Sequence, residues 1–399
     1  MSFKLGKTKS NLISKDRHML TNSDLIELTT FRRELHRHPE ISGEEKNTAR
    51  TIVEALQSLS PTRVITDLGG HGVAAVFDSG TSGPTVLFRA ELDALPIEEL
   101  SDAPWVSTVS GKGHLCGHDG HMTMLLAFGR LISREPIKKG RIVLMFQPAE
   151  EDGSGARAVV ADPAFAEIKP DWAFSIHNEP GRSLGSVGIR AGLINCASQG
   201  MEIKLTGKTA HAANPESGRS PALAVAKLIP ALGALGTGGA LNDEFRLVTV
   251  THVRVGEATF GIAPGEAVIY ATLRTAQDGA MAAIDEDART LATEIAQEAG
   301  LNVDFEVFDN FVASVNNSEA ADIAIAAMNA IGVSNGDDGL PIRWSEDFGV
   351  FGQDAKAAML CLGSGEKQAA LHNPDYDFPD ELIPIGAAIF KRIAHDILC

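Results

Sequence analysis

The chain has 399 residues, of which 44% are hydrophobic, and its formal net charge is −17. A chain of this length can bury a large core and form two domains, whereas an acidic surface of this size disfavours nucleic acid and anionic membranes as partners. No apolar run approaches the roughly 18 residues that a membrane span needs, and the scattered cysteines (116, 196, 361 and 399) indicate no disulfide framework.

The beginning of the chain contains helix signals. Met1–Arg17 is polar and has no apolar stretch before a cleavage-like site, so we expect a cytoplasmic protein. Apolar residues recur at helical spacing over Leu25–Leu35, and Pro39 ends that run. Ser42 followed by Glu45 three residues later predicts a capping box that opens a second helix.

Short apolar runs and a further helix complete the first part of the chain. The runs are typical of buried strands and lie at Gly72–Phe77, Thr85–Ala90, Ile142–Phe146 and Trp172–Ile176. A helical apolar face lies within His121–Ser133. This alternation predicts an α/β fold with a mostly parallel sheet and helices on both sides.

The middle of the chain changes to period-two alternation. Strand patterns occur at Met201–Leu205, Leu247–Val255, Val268–Leu273 and Val303–Val307. Helical stretches lie at Pro221–Leu235 and Gly279–Ala299, and the Gly/Ala-rich 231–240 is predicted to be a loop. The order β-α-β-β-α-β indicates a ferredoxin-like α+β domain. A helix at Glu319–Ile331, a strand at Ala357–Leu362 and a helix at Leu382–Ile397 follow. We predict a catalytic domain at 20–191 and 310–399, interrupted by an inserted domain at 192–309.

Side chains that bind metals follow the predicted strands. Gly113–His121 contains Cys116 and three histidines, among them His118, and Asp93, Glu150, Glu151, His177 and His372 come after or near strand ends. Thiolate, imidazole and carboxylate donors together suit a divalent metal such as zinc. Because ligands of open parallel sheets bind beyond the carboxyl ends of strands, these segments are expected to meet at one edge. The pattern predicts a metal-dependent hydrolase.

Each of these residues also has a structural interpretation. A lone cysteine is most often a buried small hydrophobe, and His121 can act as a cap within its loop. Glu150-Glu151 can be a solvated acidic pair. If the pair is functional, one carboxylate can hold metal while the other takes a proton from water, because consecutive side chains point in different directions. His36 and His38 are interpreted as helix-end residues rather than ligands.

Several motifs in fixed order resemble a known family. They are Leu35–Glu40, Ala90–Pro96, Cys116–His121, Gln147–Glu151, Gly207–Pro215 with His211, Ser345–Phe348 and Leu371–Pro374. Together they resemble the aminoacylase and carboxypeptidase-G-type dinuclear metallopeptidase family. The resemblance is closest to the amidohydrolase branch, which includes hippurate hydrolases and plant auxin-conjugate hydrolases. It spans the chain past residue 30.

The resemblance implies a site with two divalent metal ions, whether zinc, manganese, cobalt or nickel. The implied protein ligands are Cys116, His118, Glu151, His177 and His372. Glu150 is implied as the general base that deprotonates the hydrolytic water and later protonates the leaving amine. Asp93 is implied to lie behind the site, and Glu91 stands where this branch usually carries aspartate.

The resemblance also implies substrate and assembly. The inserted domain would mediate a homodimer or a higher homo-oligomer, and His211 would hydrogen-bond the oxyanion in the partner subunit's cleft. Arg274 would bind the carboxylate of a small N-acyl amino acid. Gly261 replaces the asparagine that the family carries in this region, which indicates a larger or differently shaped substrate. A dipeptidase or carboxypeptidase with the same ligands is the alternative, and a non-catalytic metal-binding protein is disfavoured because Glu150 and every ligand are present.

Overall fold

The computed structural model describes residues 19–399, which form two compact units. The first comprises residues 19–194, Val315–Leu340 and Asp347–Cys399, and the second comprises Asn195–Ser314 and Pro341–Glu346. The limits near Asn195 and Ser314 lie close to the predicted ones at 192 and 309, whereas Pro341–Glu346, assigned from sequence to the catalytic domain, groups with the second unit. The expectation drawn from Met1–Arg17 concerns residues outside those described.

The secondary structure has the following bounds. The α-helices are α1 (Asn22–Arg37), α2 (Lys46–Gln57), α3 (His118–Arg134), α4 (Gly155–Ala161), α5 (Ala222–Ala234), α6 (Asp278–Glu298), α7 (Ser318–Ile331) and α8 (Leu382–Leu398). The strands are β1 (Arg63–Leu68), β2 (Gly72–Asp78), β3 (Thr85–Glu91), β4 (Arg141–Gln147), β5 (Trp172–Pro180), β6 (Val187–Gly188), β7 (Gly192–Asn195), β8 (Ala197–Thr206), β9 (Ala210–His211), β10 (Arg246–Val255), β11 (Ile262–Ala263), β12 (Glu266–Thr275), β13 (Asn302–Phe311), β14 (Ser314–Asn316), β15 (Asn335–Gly336) and β16 (Lys356–Gly365). None of the helices within residues 19–399 combines the length and apolarity that a bilayer span requires.

The first unit is built on an eight-stranded sheet in the order β1-β2-β4-β3-β5-β16-β6-β15. The central neighbours β4, β3, β5 and β16 run parallel, which confirms the predicted mostly parallel α/β sheet. Every residue of β3 is buried, as expected of a strand covered on both faces. Phe88 of β3 contacts Phe128 and Phe390 edge-on, with ring centroids 4.8 and 5.0 Å apart. This aromatic packing joins α3 and α8 to the sheet that presents the candidate site.

The second unit has a four-stranded antiparallel sheet in the order β10-β12-β8-β13. With α5 after β8 and α6 after β12, the chain order is β-α-β-β-α-β, the ferredoxin-like arrangement. Buried and more exposed residues alternate along β12. This pattern is expected where helices cover one face of an antiparallel sheet. A separate pair of short strands, β9 and β11, carries His211 opposite Ile262.

Two local predictions were wrong. Helix α2 has no side-chain cap, because Ser42 donates to Asp93 Oδ2 at 2.7 Å and Glu45 accepts the N–H of Ala149 at 2.7 Å. These polar groups are used to hold neighbouring loops instead of a helix end. The loop predicted at 231–240 begins only after α5 ends at Ala234, since alanine favours helix.

Candidate metal centre

Donor side chains from separate segments converge in the first unit. Cys116, His118 and His177 are buried, and one donor atom from each lies within 4.8 Å of the others. The Cys116 sulfur is 3.5 Å from His177 Nε2. Two ligands that bind one tetrahedral zinc ion at about 2.0–2.3 Å lie roughly 3.5 Å from each other. The spacing of this trio therefore fits a shared metal ion.

A second trio shares the same thiol. Cys116, Glu151 and His372 also bring one donor atom each within 4.8 Å. The two oxygens of Glu151 face different imidazoles, with Oε1 3.8 Å from His118 Nε2 and Oε2 3.6 Å from His372 Nε2. Cys116 belongs to both trios, and Glu151 faces a histidine from each. This arrangement is suited to two neighbouring ions rather than one.

Glu150 lies beside these donors and groups with them differently. Its Oε2 atom is 3.7 Å from His118 Nε2, and the side chain is buried. Glu150 forms a donor group with His118 and Glu151 but belongs to neither trio that contains Cys116. Glu151 thus faces both His118 and His372. Glu150 lies near His118 and is in neither donor group with Cys116.

The loop that carries Cys116 and His118 depends on the glycine between them. Gly117 has φ +94° and immediately precedes α3. A side chain at this position would overlap that of Asn178, and the left-handed backbone favours glycine in any case. The tight turn allows the cysteine and the first residue of the helix to present their donor atoms to the same point.

Hydrogen bonds orient the histidines for coordination. His118 Nδ1 lies 2.8 Å from the Asp93 carbonyl oxygen, and His177 Nδ1 lies 2.8 Å from that of Asn178. A ring N–H that donates to a carbonyl leaves the lone pair on Nε2, which is the usual way of presenting a metal-binding imidazole. His118 Nε2 is buried and has no hydrogen-bond partner among the described residues. This orphaned acceptor fits a bound cation.

The carboxylates around the candidate metal centre favour a positive charge there. Burial, followed by the nearby Glu151 and Glu150 carboxylates, raises the pKa of the Cys116 thiol well above its usual value. Burial lowers the pKa of His118, but its hydrogen bond to Asp93 and the surrounding carboxylates outweigh burial and raise that pKa to about 10. A divalent ion would reverse both effects, because it is the largest local charge in such a site.

Two residues at the centre have unusual backbone conformations. Ala149 precedes the glutamate pair and has φ +49°, and His372 has φ +65°. Few non-glycine residues adopt positive φ, and such strain persists only where surrounding contacts impose it. Here the N–H of Ala149 donates to Glu45, and that of His372 donates to the Leu115 carbonyl at 2.9 Å. Both contacts fix where the neighbouring donors point.

A buried ionic network that the sequence did not reveal lies next to the centre. Arg89 is fully buried and pairs with Glu91 and with Asp347. Glu91 also contacts His121 Nδ1 at 2.6 Å, and His121 Nε2 lies 2.7 Å from the side-chain oxygen of Asn178. Glu91, in the place of the family's aspartate, therefore has a buried arginine and a histidine as partners.

His36 lies in the last turn of α1, as predicted, and is buried in another polar cluster. Its Nδ1 is 2.8 Å from Asp119 and its Nε2 is 3.2 Å from Glu99. Burial lowers the pKa of His36, but Asp119 and Glu99 outweigh it and raise that pKa to about 9. His38, in contrast, is exposed, as expected at a helix end.

This cluster predicts a pH-dependent stability. Because the folded pKa of His36 is raised from 6.5 to about 9, its contribution of about 3 kcal/mol is fully present below about pH 6.5 and is lost as pH rises through 9. Urea unfolding of wild type and His36→Gln should therefore differ most near pH 6 and converge near pH 9.5. His38→Gln, an exposed control, should leave the pH dependence unchanged. A constant difference between wild type and His36→Gln over this range would refute the prediction.

The remaining predicted site residues lie in the second unit. His211 is exposed, and its Nδ1 accepts the N–H of Ala213 at 3.0 Å. The Gly261 carbonyl accepts the N–H of Ala212 at 3.0 Å. Arg274 is half-buried and donates to the Ser345 hydroxyl at 2.9 Å within the same unit. The catalytic and substrate-binding roles of His211 and Arg274 stay predictions.

Thiol, imidazole and carboxylate donors beside an additional glutamate are the combination that metal-dependent hydrolases use. The sequence model of Peptidase family M20/M25/M40 matches residues 87–396, and the chain belongs to this family. The chain is 30% identical to the hippurate hydrolase of Campylobacter jejuni over 92% of its length and 96% of the relative's. It is 28% identical to the IAA-amino acid hydrolase ILR1-like 5 of Arabidopsis thaliana, over 91% and 85% of the two chains.

A solved structure extends the comparison to three dimensions. The YXEP protein of Bacillus subtilis, described as a dinuclear metal binding peptidase from the M20 family, superposes with a TM-score of 0.78. The two chains are 26% identical, with 95% of this chain and 99% of the other covered. These findings confirm the resemblance recognised in the sequence. The protein is a hydrolase that acts on amide bonds.

Proposed function

We propose that the protein is a metal-dependent amidohydrolase that cleaves the amide bond of N-acyl amino acids, releasing a carboxylic acid and an amino acid. The observation that carries the proposal is the placement of Glu150, a buried carboxylate beside the donor set but outside both trios that contain Cys116. The names of the relatives, a hippurate hydrolase and an IAA-amino acid hydrolase, support the substrate class.

Two divalent ions would be held by the protein ligands Cys116, His118, Glu151, His177 and His372. When bound, such ions lower the pKa of water to roughly 7 and polarise the acyl carbonyl. The ligand set is compatible with zinc, manganese, cobalt or nickel, among which availability in the cell often decides. Asp93 serves as a positioning residue, since its carbonyl accepts from His118 and its Oδ2 accepts the N–H of Glu151 at 2.9 Å.

Glu150 acts as general base and then as general acid. Its carboxylate takes a proton from the attacking water and later passes that proton to the leaving amine. The 3.7 Å distance between Glu150 Oε2 and His118 Nε2 supports this role, because a base beside the donor set could reach the hydrolytic water. A positioned acid or base of this kind contributes about 10²–10⁴-fold to the rate.

We assign substrate recognition to residues of the second unit and to contacts between subunits. Arg274 would bind the substrate carboxylate, and His211 would donate a hydrogen bond to the oxyanion in the partner subunit, so the active form is a homodimer or a higher homo-oligomer. The exposed position of His211 on β9 supports this role. We propose a small-molecule substrate, with no nucleic acid or membrane partner, and a cytoplasmic location.

A peptidase of the same family is the second candidate, because the YXEP relative is described as a peptidase. Amino acid release should be measured from N-acetyl, N-benzoyl and longer N-acyl amino acids and from dipeptides. Chelator-stripped protein should be used, with zinc, manganese, cobalt or nickel added back singly. We expect metal-dependent release from acyl amino acids. Turnover of dipeptides alone would move the protein to the peptidase alternative, and no turnover by metal-loaded protein would contradict both.

A further inference from the structure

A fully buried arginine lies close to the candidate metal centre without a role in the proposed reaction. Arg32, on α1, is 0% exposed. A guanidinium stays charged, and burying it is costly unless carboxylates surround it. Nearby Asp119, Asp377 and Asp380 outweigh the effect of burial and raise the pKa of Arg32 further above its usual value. The residues that pair with the Arg32 guanidinium indicate the role of this arginine.

One partner of Arg32 is Asp119, which lies in the segment that carries the proposed ligand His118. Arg32 Nη1 donates to Asp119 Oδ2 at 3.2 Å, and His36 Nδ1 approaches the same oxygen at 2.8 Å. Asp119 directly follows His118 in the first turn of α3 and is fully buried. A displacement of the Asp119 backbone would therefore move His118, whose Nε2 faces the centre.

The other partners lie on the segment that follows His372. Arg32 Nη1 donates to Asp377 Oδ1 at 2.6 Å, and its Nε donates to Asp380 Oδ1 at 2.9 Å. Trp105 Nε1 donates to the second oxygen of Asp377 at 3.0 Å. This segment is thus held to α1 over a sequence separation of 345 residues between Arg32 and Asp377.

We propose that Arg32 is a positioning residue for the metal centre. By holding Asp119 and Asp377 on one guanidinium, it supports the separation between the segment of Cys116 and His118 and the segment of His372, which the His372–Leu115 backbone hydrogen bond also joins. The inference rests on the proposed metal-dependent function but not on the identity of the substrate. An arginine that only stabilised the fold would leave the coordination geometry unchanged when replaced.

A second arginine pair between the same two helices provides the control. Arg134, at the end of α3, donates to both oxygens of Asp24 in the first turn of α1, at 2.8 and 2.5 Å. Neither residue neighbours a candidate ligand in the chain. Arg134→Met should therefore lower thermal stability without affecting metal binding.

The test uses Co²⁺ alone as probe on the chelator-stripped full-length protein. Dissociation constants and visible absorption spectra should be measured for wild type, Arg32→Met, Arg32→Lys and Arg134→Met. We expect Arg32→Met to weaken Co²⁺ binding about 10–100-fold, the range typical of residues that support ligands, and to alter the spectrum. Arg32→Lys should not restore binding, because lysine keeps the charge but lacks the planar fork.

Asp377→Asn provides a milder variant in case Arg32→Met does not fold, since Asp377 is 26% exposed. It should weaken Co²⁺ binding in the same direction. Wild-type affinity and spectrum in the folded Arg32 variants, or in Asp377→Asn, would overturn the inference. Wild-type protein that binds Co²⁺ but hydrolyses no amide would instead contradict the proposed function, so the two failures are distinguishable.

Discussion

Replacing Glu150 by glutamine is expected to reduce kcat by about 10²–10⁴-fold while the metal content stays unchanged. The amide has the size of the carboxylate but cannot take a proton from water or return one to the leaving amine. Because Glu150 belongs to neither donor trio with Cys116, we expect both ions to stay bound without its charge. Single-turnover rates and metal analysis of the purified variant measure the two quantities.

Glu151→Gln is the matched control for this variant, since it changes the adjacent residue in the same way. The two oxygens of Glu151 face His118 and His372, so this variant should lose metal and activity together. Retained turnover in Glu150→Gln would remove Glu150 from the role of base. Metal loss in both variants would instead make Glu150 a ligand.

Replacing Cys116 by alanine is expected to impair both metal positions at once. Its sulfur is the only donor common to the two trios. Metal affinity should therefore fall by more than the roughly 10–100-fold typical of residues that merely support a ligand. Titrating the chelator-stripped variant with zinc or Co²⁺ gives the affinity and the stoichiometry of metal binding, which measure the effect.

Cys196→Ala is the control, because Cys196 is also buried but belongs to no candidate donor group among the described residues. It should bind metal as wild type does. Unchanged affinity and stoichiometry in Cys116→Ala would refute the assignment of this thiol. The comparison also separates ligation from the packing role that a buried cysteine usually has.

The donor residues could be predicted from the sequence because strand ends mark the binding edge of an α/β sheet. Asp93, Glu150 and Glu151 follow short apolar runs, and Cys-x-His opens a helix, so local patterns alone indicated their proximity. The structure brings the five predicted ligands into two trios, which stay proposed ligands. The sequence could not show which donors belong to which trio. That division depends on side-chain directions, such as those of the two Glu151 oxygens, which face His118 and His372.

The contacts of the buried charged residues Arg32 and Glu45 could not be predicted, because their partners are distant in the chain. Arg32 on a helix with many charged residues resembles a solvated surface position, and only the fold brings Asp377 to it. Glu45 matched a local capping motif, yet its carboxylate accepts the N–H of Ala149. In both cases a long-range contact replaced the interaction that the local pattern predicts.

The measurement that tests the central claim most directly is metal titration of hydrolysis. Chelator-stripped protein should be titrated with zinc, manganese or cobalt while amino acid release from N-benzoyl amino acids is recorded. We predict no release without metal and a rate that rises until two ions are bound per chain. Undiminished release by the stripped protein, or saturation with metal without release from any acyl amino acid, would contradict the account.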